Sequence, residues 1–210
     1  MTEDYRAFIP YVNRLDLLKK AVDSAKGIHP MVIDNSNTGE DARLYWSMRP
    51  SVPLSFSQTM NLMLHETREN GASICIWMHS DAEAAPGTCT ELLRIAREYT
   101  ASGRKWGVLF TNYDALSAIN MTAADDVGEW DTNLQWYASD CDWYYRMKLC
   151  GWELVETNLP VYHEPSQTLK SDPLISAQMN AMFPYRTLYY AQKWGGNPGH
   201  EVFTRPFNLQ

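Results

Sequence analysis

A short apolar segment that ends in chemically active side chains is the most informative stretch of the sequence. Ile74–Met78 consists of apolar residues with β-branched and aromatic members, and His79, Ser80 and Asp81 follow it directly. Such a run predicts a buried strand of a parallel sheet. Ligands of open α/β sheets bind beyond the carboxyl ends of such strands, so Asp81 and its neighbours stand where a cofactor or metal would bind. An ordinary polar loop before the next helix is the alternative interpretation.

Carboxylate and imidazole side chains also occur at two later element ends. Asp140 and Asp142 lie in the first turn of a predicted helix for which Ser139 is a suitable N-cap, and His163 follows a short predicted strand. Together with Asp81, these ligand types suit Mn²⁺ or Mg²⁺ held partly by the phosphates of a substrate. A carboxylate at a helix start can also act as a general base. Each residue alone has a structural explanation, as a helix-start charge or a hydrogen-bonded histidine.

Strands and helices alternate along most of the chain. The predicted strands are Ala7–Tyr11, Met31–Ile33, Ile74–Met78, Trp106–Phe110, Trp152–Val155 and Pro160–Tyr162. The predicted helices are Leu15–Ala25, Ser55–Arg68, Thr88–Tyr99, Ser139–Cys150 and, in residues 173–196, one or two helices broken near Pro184. The first strand, helix and strand form a βαβ unit, which predicts a parallel sheet with a right-handed crossover.

The composition restricts the class of protein. With 210 residues, 45% of them hydrophobic and 20% charged, the chain is expected to form one globular domain. The net charge of −7 argues against non-specific binding to nucleic acid. No apolar run approaches the length of a membrane span, and the acidic N-terminus lacks a signal sequence, so we expect a cytoplasmic protein of a bacterial or phage-infected cell. The cysteines show no zinc spacing and are expected to be reduced: Cys75, Cys89, Cys141 and Cys150.

The order of these pieces resembles the inverting, family-2-type glycosyltransferases with a GT-A fold. The matching segments are IPYVNRLDLLKKAVDSA, MVIDNSNTGE, WMHSDAEAAPG, DDVGEWD, YASDCDWYYRMKLCGWEL and VYHEP, between about residue 7 and residue 165. The resemblance implies an α/β, Rossmann-like fold with a mostly parallel central sheet flanked by helices and a C-terminal helical segment. It also implies a single domain over residues 1–210. Residues 1–113 would be its nucleotide-binding half, 114–165 its acceptor and catalytic half, and 166–210 a helical tail.

The resemblance assigns the donor site residue by residue. Pro10 and Asn13 would border the nucleotide, and Asp34 would accept a hydrogen bond from its base, with uridine favoured. Asp81 matches the last acid of the Asp-x-Asp motif, and His163 matches the histidine that completes the metal site in many members. Both would therefore bind Mn²⁺ or Mg²⁺.

The remaining implied site residues surround the metal and the acceptor. His79 stands where the family has the first acid of its motif, a departure that affects the usual contact to ribose and metal. Ser80 lies beside it in the same motif and would contribute to binding the nucleotide and metal. Asp140 would be the catalytic base, and Asp142 and Arg146 would support the site. Asp142 would point away from the cleft and pair with Arg146, because residues two apart do not share a helix face.

These assignments imply transfer of a sugar from a nucleoside-diphosphate sugar, with a UDP-sugar favoured, to a hydroxyl with inversion. The acceptor would be a glycan, a small molecule or a macromolecule. A modified DNA base is a minority choice because the chain is acidic. The acceptor pocket is expected from Tyr113–Ala124 and Leu134–Tyr137. In the tail, Lys193-Trp194-Gly195-Gly196 resembles the ending of some such proteins, and Lys193 would reach a phosphate.

Two other functions remain open at this stage. A nucleotidyltransferase would also use an α/β sheet and Mg²⁺, but it needs a glycine-rich phosphate loop near the first strand, and FIPYVNRLD contains no glycine. A nucleotide-sugar-binding protein without turnover is the other alternative. Its support is His79, which occupies the position of a family acid.

Overall fold

The computed structural model describes residues 3–36, 42, 45–164 and 166–209. Part of the MVIDNSNTGE segment (residues 37–40) and the proline of VYHEP therefore lie outside the described residues. The strands are β1 (Tyr5–Tyr11), β2 (Met31–Asp34), β3 (Ser47–Met48), β4 (Ile74–Met78), β5 (Ala82–Ala84), β6 (Trp106–Phe110), β7 (Leu116–Asn120), β8 (Glu153–Glu156) and β9 (Val161–His163). The helices are α1 (Leu15–Ser24), α2 (Phe56–Glu69), α3 (Thr88–Ala101), α4 (Met121–Val127), α5 (Ser139–Leu149), α6 (Gln167–Ser171) and α7 (Pro173–Trp194).

The central sheet has seven strands in the order β3-β2-β1-β4-β7-β6-β8. Neighbouring strands are parallel except where β7 pairs with β4 and β6. Because β1, β2 and β4 run in one direction, their carboxyl ends lie at the same edge of the sheet. The expected α/β class, with a mostly parallel central sheet flanked by helices and a C-terminal helical segment, is confirmed.

A second, two-stranded sheet lies at that edge. In it β5 pairs with β9 in antiparallel register, with Ala82 opposite His163. Asp81 directly precedes β5, so this pairing brings His163 beside Asp81 although 82 positions separate them in the chain.

Hydrophobic cores cover both faces of the central sheet. On one face Leu18 of α1 and Leu92 of α3 pack in the same buried cluster as Ile76 of β4. On the other face Met60 of α2 and Trp143 of α5 pack with Trp77, the next residue of β4 after Ile76. Successive residues of β4 point to opposite faces, so a strand buried on both sides must be apolar throughout. The continuous apolar run Ile74–Met78 meets that requirement.

The segment after residue 113 contains a strand that was not predicted. Within Tyr113–Ala124, one of the two segments expected to supply an acceptor pocket, Asp114 lines a cleft, whereas residues 116–120 form β7, a buried strand in the middle of the sheet, and α4 follows it. The run LSAIN is short and contains serine and alanine, so its apolar pattern is weak. Backbone pairing with β4 on one side and β6 on the other makes it a strand.

Two expectations about helix geometry are wrong. Ser139 is the first residue of α5 rather than its N-cap: Ala138 occupies the cap position with φ of 64°, and the Ser139 hydroxyl donates to the carbonyl of Trp136. Helix α7 continues through Pro184 without a break. Proline removes the hydrogen bond to the carbonyl of Asn180, and both residues are exposed, so water can bind that carbonyl.

Within the described residues, none of the helices combines the length and the apolar character that crossing a bilayer requires.

Candidate active site

A cleft of about 650 Å³ opens at the carboxyl edge of β1 and β4. Its volume lies in the range of small-molecule sites. Six of the residues singled out from the sequence line it: Pro10, His79, Ser80, Asp81, Asp140 and His163. They come from β1, from the segment after β4, from the start of α5 and from the end of β9, so the fold assembles the cleft from distant parts of the chain.

Three side chains of the cleft form a possible metal-binding cluster. One ligand atom each from His79, Asp81 and His163 lies within 4.8 Å of the others. Asp81 Oδ1 is 3.2 Å from Nε2 of His163 and 3.8 Å from Nδ1 of His79. Two adjacent ligands of an octahedral ion, each about 2.1 Å from it, are about 3 Å apart, so small movements of the imidazoles would accommodate an ion. Two imidazoles and one carboxylate are a ligand set that divalent transition metals accept.

The electrostatics of the cluster favour the protonation states that bind a cation. Burial raises the pKa of Asp81, but the hydrogen bond with His163 and the nearby imidazoles outweigh it, so the carboxyl pKa lies below its ordinary value. Burial, with a contribution from His163, lowers the pKa of His79 to about 4. At neutral pH the site therefore offers a carboxylate and an uncharged imidazole, which are the forms that ligate metals.

Asp140 and Asp142 lie on different sides of helix α5. Asp140 faces the cleft, whereas the Asp142 side chain is fully buried. Asp142 accepts hydrogen bonds from Nε of Arg146 at 3.0 Å and from Nε1 of Trp194 at 2.8 Å. The expected pairing of Asp142 with Arg146 is present. It anchors the helix that carries Asp140 to its surroundings.

The structure does not bring Lys193 to the cleft. Its ammonium is nearly buried and lies 2.6 Å from Asp142 Oδ1 and 2.6 Å from Asp131 Oδ2. The Tyr189 hydroxyl also donates to Asp131 Oδ2, at 2.8 Å. Lys193 thus joins α7 to α5 and to the loop before it, and the expectation that it reaches a donor phosphate gains no support from this position.

Asn13 and Asp34 are both held by neighbouring groups. The Asn13 side-chain oxygen accepts a hydrogen bond from Ser171 at 3.1 Å. Asp34 Oδ1 accepts from the Ser36 amide at 2.9 Å, and Oδ2 lies 3.5 Å from the Arg49 guanidinium. Asn35, the next residue, lines the cleft. Asp34 therefore stands just behind the cleft wall.

Comparison with known proteins rests on structure alone. No protein-family model matches the chain, and no curated protein matches its sequence. Glucosyl-3-phosphoglycerate synthase from Mycobacterium tuberculosis, solved with Mg²⁺ and uridine diphosphate, superimposes with a TM-score of 0.61 and 13% identity, over 87% of this chain and 78% of that one. GalNAc-T7, solved with UDP, GalNAc and Mn²⁺, gives 0.57 and 12%, over 90% and 50%. TarS of Staphylococcus aureus, residues 1–349, gives 0.60 and 9%, over 84% and 65%.

The chain has the GT-A fold. The neighbours on which this rests are GT-A glycosyltransferases. The chain covers less than two thirds of the GalNAc-T7 and TarS structures, so those proteins contain segments with no counterpart here.

The cleft of this GT-A fold also contains residues that the sequence did not single out individually, although Asp114 and Trp136 lie within the two segments expected to supply the acceptor pocket. Asp114 lies four positions beyond the end of β6, a strand parallel to β8, and the rule applied to Asp81 would have indicated it. Trp77 and Trp136 are aromatic wall residues. Among several tryptophans in the chain, no sequence signal distinguishes those that line a cleft from those that fill a core.

Asp114 is expected to make the stability of the protein depend on pH. Burial, together with the nearby charge of Asp140, raises its pKa from 3.8 to about 6, although the Tyr144 hydroxyl opposes the shift. A raised folded-state pKa favours folding at low pH, and that contribution is lost as the pH rises from about 4 to about 6. Asp114→Asn removes the ionisation. The variant should therefore gain stability over the native protein across this interval, by up to about 3 kcal/mol.

Urea unfolding at pH 4, 5, 6 and 8 measures this difference. Asp23→Asn, which changes an exposed carboxyl on α1, is the control and should follow the native pH dependence. If the curves of Asp114→Asn and the native protein stay parallel from pH 4 to pH 8, Asp114 does not titrate as described.

Proposed function

We propose that the protein is a glycosyltransferase that moves a sugar from a nucleoside-diphosphate sugar, preferably a UDP-sugar, to an acceptor hydroxyl with inversion. The observation that carries this proposal is that a metal-ligand cluster and a helix-start carboxylate line one cleft. His79, Asp81 and His163 form the cluster, and Asp140 is the carboxylate. A group transfer from a diphosphate needs both a cation for the leaving group and a base for the nucleophile.

The donor would bind along the cluster wall. His79, Asp81 and His163 would hold Mn²⁺ or Mg²⁺, which would neutralise charge on the departing diphosphate. Pro10 and Asn35 line the adjoining part of the cleft and would border the nucleoside. Uridine diphosphate with Mn²⁺ or Mg²⁺ in the structures of two neighbours supports the choice of donor and ion.

The acceptor would bind near Asp140. Inversion results from a single displacement, in which the acceptor oxygen attacks the anomeric carbon as the bond to the diphosphate breaks. The Asp140 carboxylate would take the proton of the attacking hydroxyl. Gln135, Trp136 and Tyr137 line the cleft just before α5. They lie within Leu134–Tyr137, one of the two segments expected to supply the acceptor pocket.

A ligand screen tests the proposal directly. Thermal unfolding is measured with UDP, ADP and GDP, each with Mn²⁺, with Mg²⁺ or with a chelator, and donor consumption is then measured with the UDP-sugars that bind. We expect UDP to stabilise the protein only when metal is present, and at least one UDP-sugar to be consumed. Absence of any metal-dependent stabilisation by a nucleoside diphosphate would contradict the proposal. Binding without consumption across acceptors would favour the alternative of a binding protein without turnover.

Asp34 is expected to contribute to the choice of base. An imide N–H that donates to a carboxylate forms a charge-assisted hydrogen bond, and its loss weakens binding roughly tenfold or more. Asp34→Asn keeps the shape and removes the charge. We expect it to weaken UDP binding while leaving the weaker ADP binding unchanged, as measured by calorimetry with Mn²⁺. Equal losses for UDP and ADP would mean that Asp34 supports the cleft wall through Arg49 and Ser36 rather than selecting uridine.

A further inference from the structure

Arg186 of α7 is a buried cation that makes no hydrogen bond within the described residues. Its side chain is 1% exposed, yet Nε, Nη1 and Nη2 have no hydrogen-bond partner among the described residues. Burial lowers the pKa of this guanidinium, although it remains charged at any ordinary pH. A buried charge that is neither paired nor hydrogen-bonded destabilises the folded state. Such a position needs an explanation other than stability.

Arg146 is an arginine whose guanidinium is fully hydrogen-bonded by the protein. Its Nε donates to Asp142, and its two terminal nitrogens donate to the carbonyls of Val127 and Glu129 at 2.8 and 2.7 Å. Every nitrogen of that guanidinium has a protein acceptor. The unsatisfied fork of Arg186 therefore contrasts with that of Arg146, although Arg186 is the more deeply buried of the two.

Arg186 is linked to the cleft through Trp136. The guanidinium carbon lies 4.7 Å from the centroid of the Trp136 ring, in a cation–π contact, and Trp136 lines the cleft. Helix α7 supplies a second connection. Met179 also lines the cleft, and Arg186 follows it by seven residues, about two helical turns, so both lie on one face. Helical side chains lean towards the N-terminus of the helix, which for Arg186 is the direction of Met179.

Two aromatic residues near Arg186, Tyr137 and Phe183, are themselves exposed. Tyr137 is close enough to influence its pKa and is 43% exposed. Phe183, one helical turn earlier, packs edge-to-face on Tyr137 and is 52% exposed. Displacing such rings removes little core packing, so a ligand can reach the guanidinium at a modest cost.

We propose that Arg186 binds an oxyanion group of the acceptor, a phosphate or a carboxylate, beside Trp136. A guanidinium presents a planar fork of donors that matches either group in a bidentate geometry. Trp136 lies four positions before Asp140, so an acceptor held there brings its hydroxyl towards the candidate base. The metal cluster is formed by other residues, His79, Asp81 and His163, which leaves the donor diphosphate to them. The role of the bound group as part of an acceptor rests on the proposed function, whereas the oxyanion site itself does not.

The first test uses small anions and no donor. Thermal and urea unfolding of the full chain are measured in phosphate, acetate and chloride at equal ionic strength, for the native protein, Arg186→Gln and Arg205→Gln. Arg205 is an exposed arginine near the C-terminus and serves as the matched control. We expect phosphate or acetate at ten times its dissociation constant to raise the folding equilibrium constant about elevenfold in the native protein and in Arg205→Gln, but not in Arg186→Gln.

A response to phosphate alone identifies a phosphate acceptor, and a response to acetate alone identifies a carboxylate acceptor. Equal responses of all three proteins would overturn the inference.

A second variant separates binding from a merely structural role. Arg186→Met keeps an unbranched side chain, shorter than that of arginine, and removes the unpaired charge, so it should unfold at or above the native temperature in chloride. If Arg186 were structural, this variant would unfold at a lower temperature and the anion response of the native protein would be absent. That result would overturn the inference.

UDP binding with Mn²⁺ should be the same in Arg186→Gln and the native protein. If Arg186→Gln loses UDP affinity as well as the anion response, Arg186 binds the donor and the acceptor assignment is overturned. If UDP binds neither protein, the proposed function is contradicted, but the anion result still stands.

Discussion

Asp140→Asn is expected to reduce sugar transfer by roughly 10²–10⁴-fold, which is the usual contribution of a general base. Asparagine has nearly the shape of aspartate but cannot accept the proton of the attacking hydroxyl. Among the described residues the Asp140 side chain has a hydrogen bond with Cys141 but none of the ion pairs that hold Asp142, so the substitution should leave the fold intact. UDP and Mn²⁺ affinities should stay near the native values, because Asp140 is not one of the three residues of the cluster. Turnover is measured by donor consumption, and affinity by calorimetry.

The matched control for this variant is Asp16→Asn. Asp16 is also an aspartate in the first turn of a helix, but its side chain is 60% exposed and it pairs with Arg14 away from the base. It should retain native turnover. If Asp140→Asn transfers sugar at the native rate while Asp142→Asn does not, the general base is Asp142 and the assignment of Asp140 is contradicted. If both remain active with native unfolding temperatures, the acid–base role of this helix is contradicted.

Asp81→Ala is expected to abolish metal-dependent binding of UDP. Loss of a hydrogen-bond partner behind a metal ligand already costs roughly 10–100-fold in affinity, and loss of the only carboxylate of the cluster should cost more. The two imidazoles that remain carry no negative charge to attract the ion. Calorimetric titration of Mn²⁺ in the presence of UDP measures the effect. Because the native cluster contains two imidazoles, it should prefer Mn²⁺ to Mg²⁺.

Glu83→Ala provides the control within the same segment. Glu83 lies two residues after Asp81 on β5, and its side chain points to solvent. This variant should bind Mn²⁺ and UDP as the native protein does. His79→Asp extends the experiment, because it places an acid where family-2-type glycosyltransferases have the first acid of the Asp-x-Asp motif. This variant should show a smaller preference for Mn²⁺ over Mg²⁺ than the native protein. Unchanged Mn²⁺-dependent UDP binding by Asp81→Ala would remove the cluster from the donor site.

Local features of the sequence were sufficient to predict the elements that carry the candidate donor-binding residues. The strand Ile74–Met78 was predicted with its observed bounds, because a strand buried on both faces must be apolar throughout. The sequence also indicates the start of α2, because Ser55 is its N-cap and Gln58, three residues later, completes a capping box. The position of Asp81 at the end of a parallel strand follows from the same local pattern. These signals depend on neighbouring residues only, which a sequence displays directly.

Contacts between distant residues were decided by the tertiary structure alone. LSAIN became β7 because β4 and β6 offered it backbone partners on both sides, and not because its own residues demand a strand. Lys193, expected at a phosphate, is instead held between Asp131 and Asp142, since burial of two carboxylates requires a cation nearby. Arg186 carries no sequence signal that separates it from an exposed arginine. Its lack of hydrogen-bond partners among the described residues is a property of what surrounds it, and burial depends on how the whole chain packs.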